Sequence, residues 1–352
     1  MMVYWSFVLI PTLLSLSETM RRNRGGTSAL LALIFVFLFF FMGLRDTAGD
    51  YPTYVNLYEL LSGADLETSL SSVEPLYGLL NWLSSQLGLG LYGVNSICAL
   101  VFLYCLARVA STERLPLLLT TLAIPYFVIV VGMGYTRQGV AAALVMLSIV
   151  YLRQNRVLLA CVAILAGTGF HYSAFAAMAL PLFVRTRNQT GLRWFVSRLA
   201  VVGIIAVSAQ SFLSDRIDTY VASYIEIDRY ESGGAFLRSL VTAAAGLAFF
   251  AWRKEFKNLY SDYVLWRPFA LVALVCPPLS FFASTPVDRM GLYLLPFQIV
   301  TFSRLPVVVN GGRSALAAKT LILCGYLLYF YTWLHLGAYA GELWLPYRWI
   351  FS

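Results

Sequence analysis

The stretch ALLALIFVFLFFFMGLRDTAGDYPTYVNLYELL (29–61) decides how the rest of the chain is read. Its first half is a continuous apolar run without a period of two, the pattern of a membrane-spanning helix and not of a barrel strand. Its second half turns abruptly polar at the mouth of that span, with Arg45, Asp46, Asp50, Tyr51 and Tyr54 close together. Comparable apolar runs lie near 2–17, 27–43, 91–109, 115–132, 138–152, 157–169, 172–184, 194–209, 236–252, 264–283, 288–303 and 316–336. Of 352 residues, 60% are hydrophobic and only 12% charged, with a mean hydropathy of +0.74. A soluble domain of that length has too much surface to cover with so few charges. The expectation is an all-α polytopic membrane protein, a single transmembrane domain over 1–352 with about 12 transmembrane helices, within a range of 10–14.

Orientation follows from the basic residues. Arg21, Arg22 and Arg24 come after the first apolar run, where a secretory signal would carry its charges before it. The run therefore reads as a retained span with its N-terminus outside and the arginines inside. The next span then exits into 44–74, which holds Asp46, Asp50, Glu59, Asp65, Glu67 and Glu74 against a single Arg45 and fits an outer loop. The segment 75–89 is short and polar on one side. As a helix it covers only ~22 Å where the hydrocarbon core needs ~30 Å, so it reads as interfacial or re-entrant. Residues 157–184 have arginines on both flanks and read as a hairpin of two short helices meeting at GTGFHY (167–172). A second outer loop is expected at 210–235. On this topology 18 of the 25 Lys and Arg residues fall inside, and the outer face is net negative. The few outer arginines are then the charges that need a functional explanation.

The five cysteines are odd in number, lack a C-x-x-C and lie in apolar runs, so they read as packing residues without a disulfide or metal role. No P-loop, nucleophile elbow, H-E-x-x-H or D-x-D cluster is present, which argues against a nucleotide-using or metal-dependent enzyme. The basic residues flank spans and form no surface stripe, which argues against nucleic acid.

The polar groups that resist a packing explanation gather on the outer face. They are Arg45, Asp46, Asp50, Tyr51, Tyr54 and Glu74 in the first loop, Arg137 and Gln138 opening a helix, His171 and Tyr172 at the hairpin tip, and Asp288, Arg289 and Tyr293 at another helix start. A guanidinium presents a planar fork that binds phosphate oxygens in pairs and never loses its charge, so Arg45, Arg137 and Arg289 together suit a diphosphate without a metal. A carboxylate or imidazole among them supplies a base for a hydroxyl nucleophile. Taken singly, each arginine has a bland reading as an interfacial anchor, and His171 as a packing histidine. His335 reads as structural, and the terminal WLPYRW (344–349) as part of an aromatic belt.

In order along the chain, GLRDTAGDYPTYVNLYELL (43–61), EPLYGLLNWL (74–83), YTRQGVAAAL (135–144), FHYSAF (170–175), DRMGLYLLPF (288–297) and a closing W-x-P-Y (344–347) resemble the EpsG family of Wzy-like O-antigen and exopolysaccharide polymerases. The likeness covers most of the chain as spaced short motifs. It implies a GT-C-like glycosyltransferase in the bacterial inner membrane, with its site facing the periplasm. The implied substrates are undecaprenyl-diphosphate-linked oligosaccharide donor and acceptor, in contact with membrane lipid. A separate chain-length-regulating copolymerase is the implied protein partner, and no cofactor is expected. By motif match the family's polar positions are Arg45, Asp50, Tyr51, Tyr54, Glu74, Arg137, Gln138, His171, Arg289 and Tyr293. The expected chemistry is inverting transfer, with His171, Asp50 and Glu74 as base candidates and Arg137, Arg289 and Arg45 on the departing diphosphate. Tyr51, Tyr54, Gln138, Tyr172 and Tyr293 would contact substrate. A flippase for the same lipid-linked sugar and an O-antigen ligase remain the alternatives.

Overall fold

In the computed structural model the described residues are 1–18, 24–183, 196, 199–204, 207, 234–309 and 312–351. Among them the chain is helical throughout; its one β-type pairing is an isolated antiparallel bridge between Arg45 and Trp349. The helices run α1 Met2–Leu16, α2 Arg24–Gly43, α3 Tyr51–Ser62, α4 Leu66–Ser72, α5 Pro75–Gln86, α6 Gly90–Ala110 and α7 Pro116–Ala123. α7 continues as a π-helix, Ile124–Gly134, and is followed by α8 Thr136–Arg153 and α9 Val157–Phe170. A 3₁₀ segment Tyr172–Ala179 and α10 Leu180–Phe183 come next. The second part holds α11 Ala235–Ala251, α12 Arg253–Leu259, α13 Tyr263–Leu279, α14 Ser284–Gly291, α15 Leu295–Val308, α16 Gly312–Leu336 and α17 Ala340–Leu343.

Among the described residues five helical stretches are long and apolar enough to cross a membrane: Gly26–Gly43, Gly90–Ala110, Pro116–Gly134, Ser284–Val308 and Ser314–Leu336. A sixth is reached if α11 and α12, bent by 78° at Trp252, form one broken span. That is a polytopic membrane protein, but it does not reach the twelve crossings expected from hydropathy alone. The other apolar helices, Met2–Leu16, Val157–Phe170, Tyr172–Leu182 and Tyr263–Leu279, are shorter than the ~20 residues of a typical span. The apolar run 194–209 and the expected outer loop 210–235 lie almost wholly outside the described residues.

The core is the α7–π–α8 unit. Every π-helix residue is buried, and in α8 all but Arg137, Tyr151 and Arg153 are. α8 packs on α6 and α9, and the π-helix on α7 and α8. Gly139 permits the last of these contacts, since a Cβ there would lie 2.9 Å from the Val131 carbonyl oxygen. The segment 75–89 does contain a short separate helix, α5, packed on α3, α4, α6 and α9. The 157–184 segment does break where the sequence places it, with His171 in extended backbone between α9 and the 3₁₀ turn.

One aromatic reading is corrected. The closing WLPY motif is a core clamp and not an interfacial belt. Trp344 is 3% exposed, and its ring covers Gly134, where a Cβ would come within 2.5 Å. Its indole N–H donates to the Ile129 carbonyl at 3.3 Å, and its own carbonyl accepts from the Tyr4 hydroxyl at 2.8 Å. Tyr347 donates to the Phe41 carbonyl at 2.9 Å. The tail thus joins α1, α2 and the π-helix.

The far end of the bundle is bolted by charge. Arg304 is 3% exposed and donates to both carboxylate oxygens of Glu113, at 2.8 and 2.6 Å, and to both of Asp262, at 2.8 and 2.7 Å. Its guanidinium lies 4.1 Å from the centroid of Tyr260. Glu18 caps α7 by accepting from the amides of Leu117 and Leu118, while Lys319 donates to the carbonyls of Ser15 and Glu18.

Candidate functional site

The loop between α2 and α3 is built to aim Asp50. Its backbone is stitched on two sides: the amides of Asp46 and Ala48 donate to the carbonyls of Arg348 and Leu343, and the Asp50 amide donates to that of Gly134. Gly49 sits at φ +54° with its Cα against Gly134, a position where any Cβ would strike backbone at 2.5 Å. Beneath the loop, Arg45 is 1% exposed. It donates to the Met42 carbonyl, and at 2.7 Å to both the Met133 carbonyl and the Thr136 hydroxyl. Asp46 accepts from the hydroxyls of Tyr51, at 2.9 Å, and Tyr92. Arg45, Asp46 and Tyr51 are therefore engaged in holding the loop, and Asp50 is left accessible at its end.

The first turn of α8 supplies three consecutive anchors pointing to three other elements. Thr136 receives Arg45. Arg137 forms a 2.7 Å ion pair with Glu74, the residue that precedes α5. Gln138 donates to the Arg289 carbonyl at 2.8 Å and so fixes the C-terminal part of α14 against α8. The Arg137 guanidinium lies 5.8 Å from the Tyr54 ring centroid and 5.6 Å from that of Tyr77, both buried. The positive end of the α8 dipole adds to the same region.

His171 completes the ring. Its Nδ1 lies 2.6 Å from the Ser173 hydroxyl and accepts from the Ser173 amide at 3.4 Å, and that hydroxyl lies 2.8 Å from the hydroxyl of Tyr293. Tyr172 is buried beside it.

Electrostatics tie these groups into one site. Burial raises the Asp50 pKa, and Arg289 and then Arg137 pull it back. Burial lowers the His171 pKa to about 4; Glu74 opposes the shift, while Arg137 and Arg289 add to it. Burial raises Tyr54 to about 12, again against Arg137. The imidazole is thus neutral at pH 7 and faces the same two guanidinium groups as Asp50. The Arg289 and Asp50 side chains are both accessible, and neither makes a hydrogen bond or ion pair among the described residues.

The structure therefore brings together Asp50, Glu74, Arg137, Gln138, His171, Arg289, Tyr54 and Tyr293. Arg45 lies apart from the open groups, behind Tyr54 and Tyr77, with its guanidinium turned to backbone. Four contributors escape a reading by residue type. Tyr77 underlies Arg137 and is marked only by its place three residues after Glu74. Ser173 is marked only by its place two residues after His171. Arg238, an arginine early in the apolar run 236–252, pairs with Asp288 at 2.5 Å beside the site. Tyr92 shares Asp46 with Tyr51. Among the described residues no group of three or more His, Cys, Asp or Glu gathers as a metal set, and the five cysteines are free.

No curated protein and no solved structure matches the chain. The sequence model of the EpsG family matches residues 28–349, from within the first turns of α2 to the bridge at Trp349, and so takes in every element of this site. With nearly its whole length covered, the chain belongs to the EpsG family, a family of Wzy-like polymerases.

Proposed function

We propose that the chain is a glycosyltransferase that polymerises undecaprenyl-diphosphate-linked oligosaccharide repeat units at the periplasmic face of the bacterial inner membrane. The observation that carries this reading is the meeting of two guanidinium groups, Arg137 and Arg289, with an accessible carboxylate, Asp50, inside a wall of tyrosines. A cationic, partly desolvated cluster beside a free base is what displacement of a diphosphate by a sugar hydroxyl requires.

In the proposed reaction the acceptor hydroxyl oxygen forms a bond to the anomeric carbon of the donor. The bond from that carbon to the phosphate oxygen breaks, and undecaprenyl diphosphate leaves with the electron pair. Asp50 takes the hydroxyl proton. Of the three base candidates it is the one left open: Glu74 is held by Arg137, and His171 has its Nδ1 turned to Ser173. Arg289 and Arg137 neutralise charge on the leaving diphosphate as it develops. Attack opposite the leaving group inverts the anomeric centre, and the arginines carry the charge that a metal would otherwise carry. Tyr54 and Tyr77 back Arg137 from beneath. A copolymerase that sets chain length is the proposed partner.

Purified protein incubated with lipid-linked repeat unit alone tests the reading. A ladder of products is the expected result. Product only when a second acceptor lipid is added would make the chain a ligase, and transbilayer movement without bond formation would make it a flippase.

A further inference from the structure

Resting on the reading above, we propose that Ser173 is a positioning residue that holds His171 in the tautomer with its proton on Nε2, making His171 a neutral donor to the diphosphate and not its base. One group at this ring has a direction that is not open to choice. A backbone amide can only donate, and the Ser173 amide points at Nδ1 of His171 at 3.4 Å. A proton on Nδ1 would face that N–H head on. The same nitrogen lies 2.6 Å from the Ser173 hydroxyl, so that hydroxyl donates too. With its own proton used in this way, the hydroxyl oxygen accepts from Tyr293 at 2.8 Å. The chain runs one way: Tyr293 O–H to Ser173, Ser173 O–H to His171 Nδ1. A neutral imidazole with Nδ1 unprotonated carries its hydrogen on Nε2.

The position of the ring gives that hydrogen its use. His171 lies within the electrostatic reach of Glu74, Arg137 and Arg289, and burial keeps it neutral at pH 7. A third full cation would add repulsion beside two arginines. A neutral N–H adds a hydrogen bond to phosphate oxygen without it. Tyr293 is itself 8% exposed and set in the turn that follows Arg289, so the helix bearing one arginine also carries the first link of the chain.

The chain has two histidines, so His335→Gln leaves His171 as the only imidazole signal in a ¹⁵N-histidine-labelled sample in lipid nanodiscs. Nitrogen NMR at pH 7 should show Nδ1 unprotonated and Nε2 bearing the proton; the opposite tautomer overturns the proposal. Inorganic pyrophosphate should shift the Nε2–H resonance, and an unmoved resonance at saturating pyrophosphate overturns the donor role. Ser173→Ala should mix the two tautomers and lower kcat for polymerisation roughly tenfold, with Ser173→Thr restoring both. Because tautomer and pyrophosphate response are read without turnover, they can hold in a chain that makes no polymer. That result would sink the polymerase reading and leave this one standing.

Discussion

Arg137 is held by Glu74 through one amino group and by two tyrosine faces, with its Nε buried, so its second amino group is the part of the fork left for substrate. Lysine keeps the charge but loses the fork. Arg137→Lys should therefore cost about as much as Arg137→Ala, on the order of 10²–10³ in polymerisation rate. Near-normal polymer from the lysine variant would show that Arg137 is only an anchor. Asp50 makes a paired prediction of activity and stability. Its folded pKa is raised by desolvation, so the ionised form is less favoured in the folded chain than in the unfolded one. The destabilisation is present at neutral pH and relieved as pH falls through the folded pKa, while the base is lost over that same interval. Asp50→Asn should thus abolish the ladder and leave the melting temperature equal or higher. A drop in melting temperature together with activity would mean that Asp50 is structural. Arg45 stands apart from both residues. Its loss takes the guanidinium donor from the buried Met42 carbonyl and leaves the Met133 carbonyl and Thr136 hydroxyl only each other, so Arg45→Ala should reduce folded yield before any change in kcat is measurable.

At the scale of elements, two devices hold the site. The first is the 44–50 loop, clamped between the C-terminal tail and the π–α8 corner. Gly49→Ala places a Cβ at positive φ against Gly134 and should destabilise by about 1–3 kcal/mol, lowering the melting temperature and activity together. The second is the Arg304 bolt at the opposite end. Removing Arg304 leaves Glu113 and Asp262 buried with the more distant Arg153, at 3.8 and 3.7 Å, and the Trp266 indole N–H on Asp262. Arg304→Leu should cost about 3–5 kcal/mol, read as lost thermal stability with substrate affinity unchanged in whatever protein remains folded. The elements themselves were largely legible in the sequence. A hydrophobic run marks a helix, and short polar-flanked runs mark the breaks at 75–89 and 171. What stayed hidden is partnership across distance. That Arg45 serves carbonyls near residue 133, or that Trp344 covers Gly134, depends on tertiary packing that no local pattern encodes.

Over the whole molecule, one end of the bundle carries open charge and the other carries closed charge. Asp50 and Arg289 are accessible at one end, whereas Glu113, Asp262 and Arg304 are mutually satisfied at the other. The charge bias of the sequence pointed to the first group because acidic and aromatic residues crowd into 44–74. It was less informative about span number, because composition marks α9 and α13 as apolar without fixing whether helices of 14 and 17 residues cross alone. It also could not separate a loop-holding arginine from a substrate-facing one, since Arg45, Arg137 and Arg289 are equivalent by residue type and span-end position. The account's central claim is that this open end joins one lipid-linked repeat unit to another with Asp50 as the base. Gel analysis of purified protein given only lipid-linked repeat unit tests it most directly. The account predicts a product ladder from the native chain and none from Asp50→Asn; a ladder from Asp50→Asn, or no bond formation by the native chain, would contradict it.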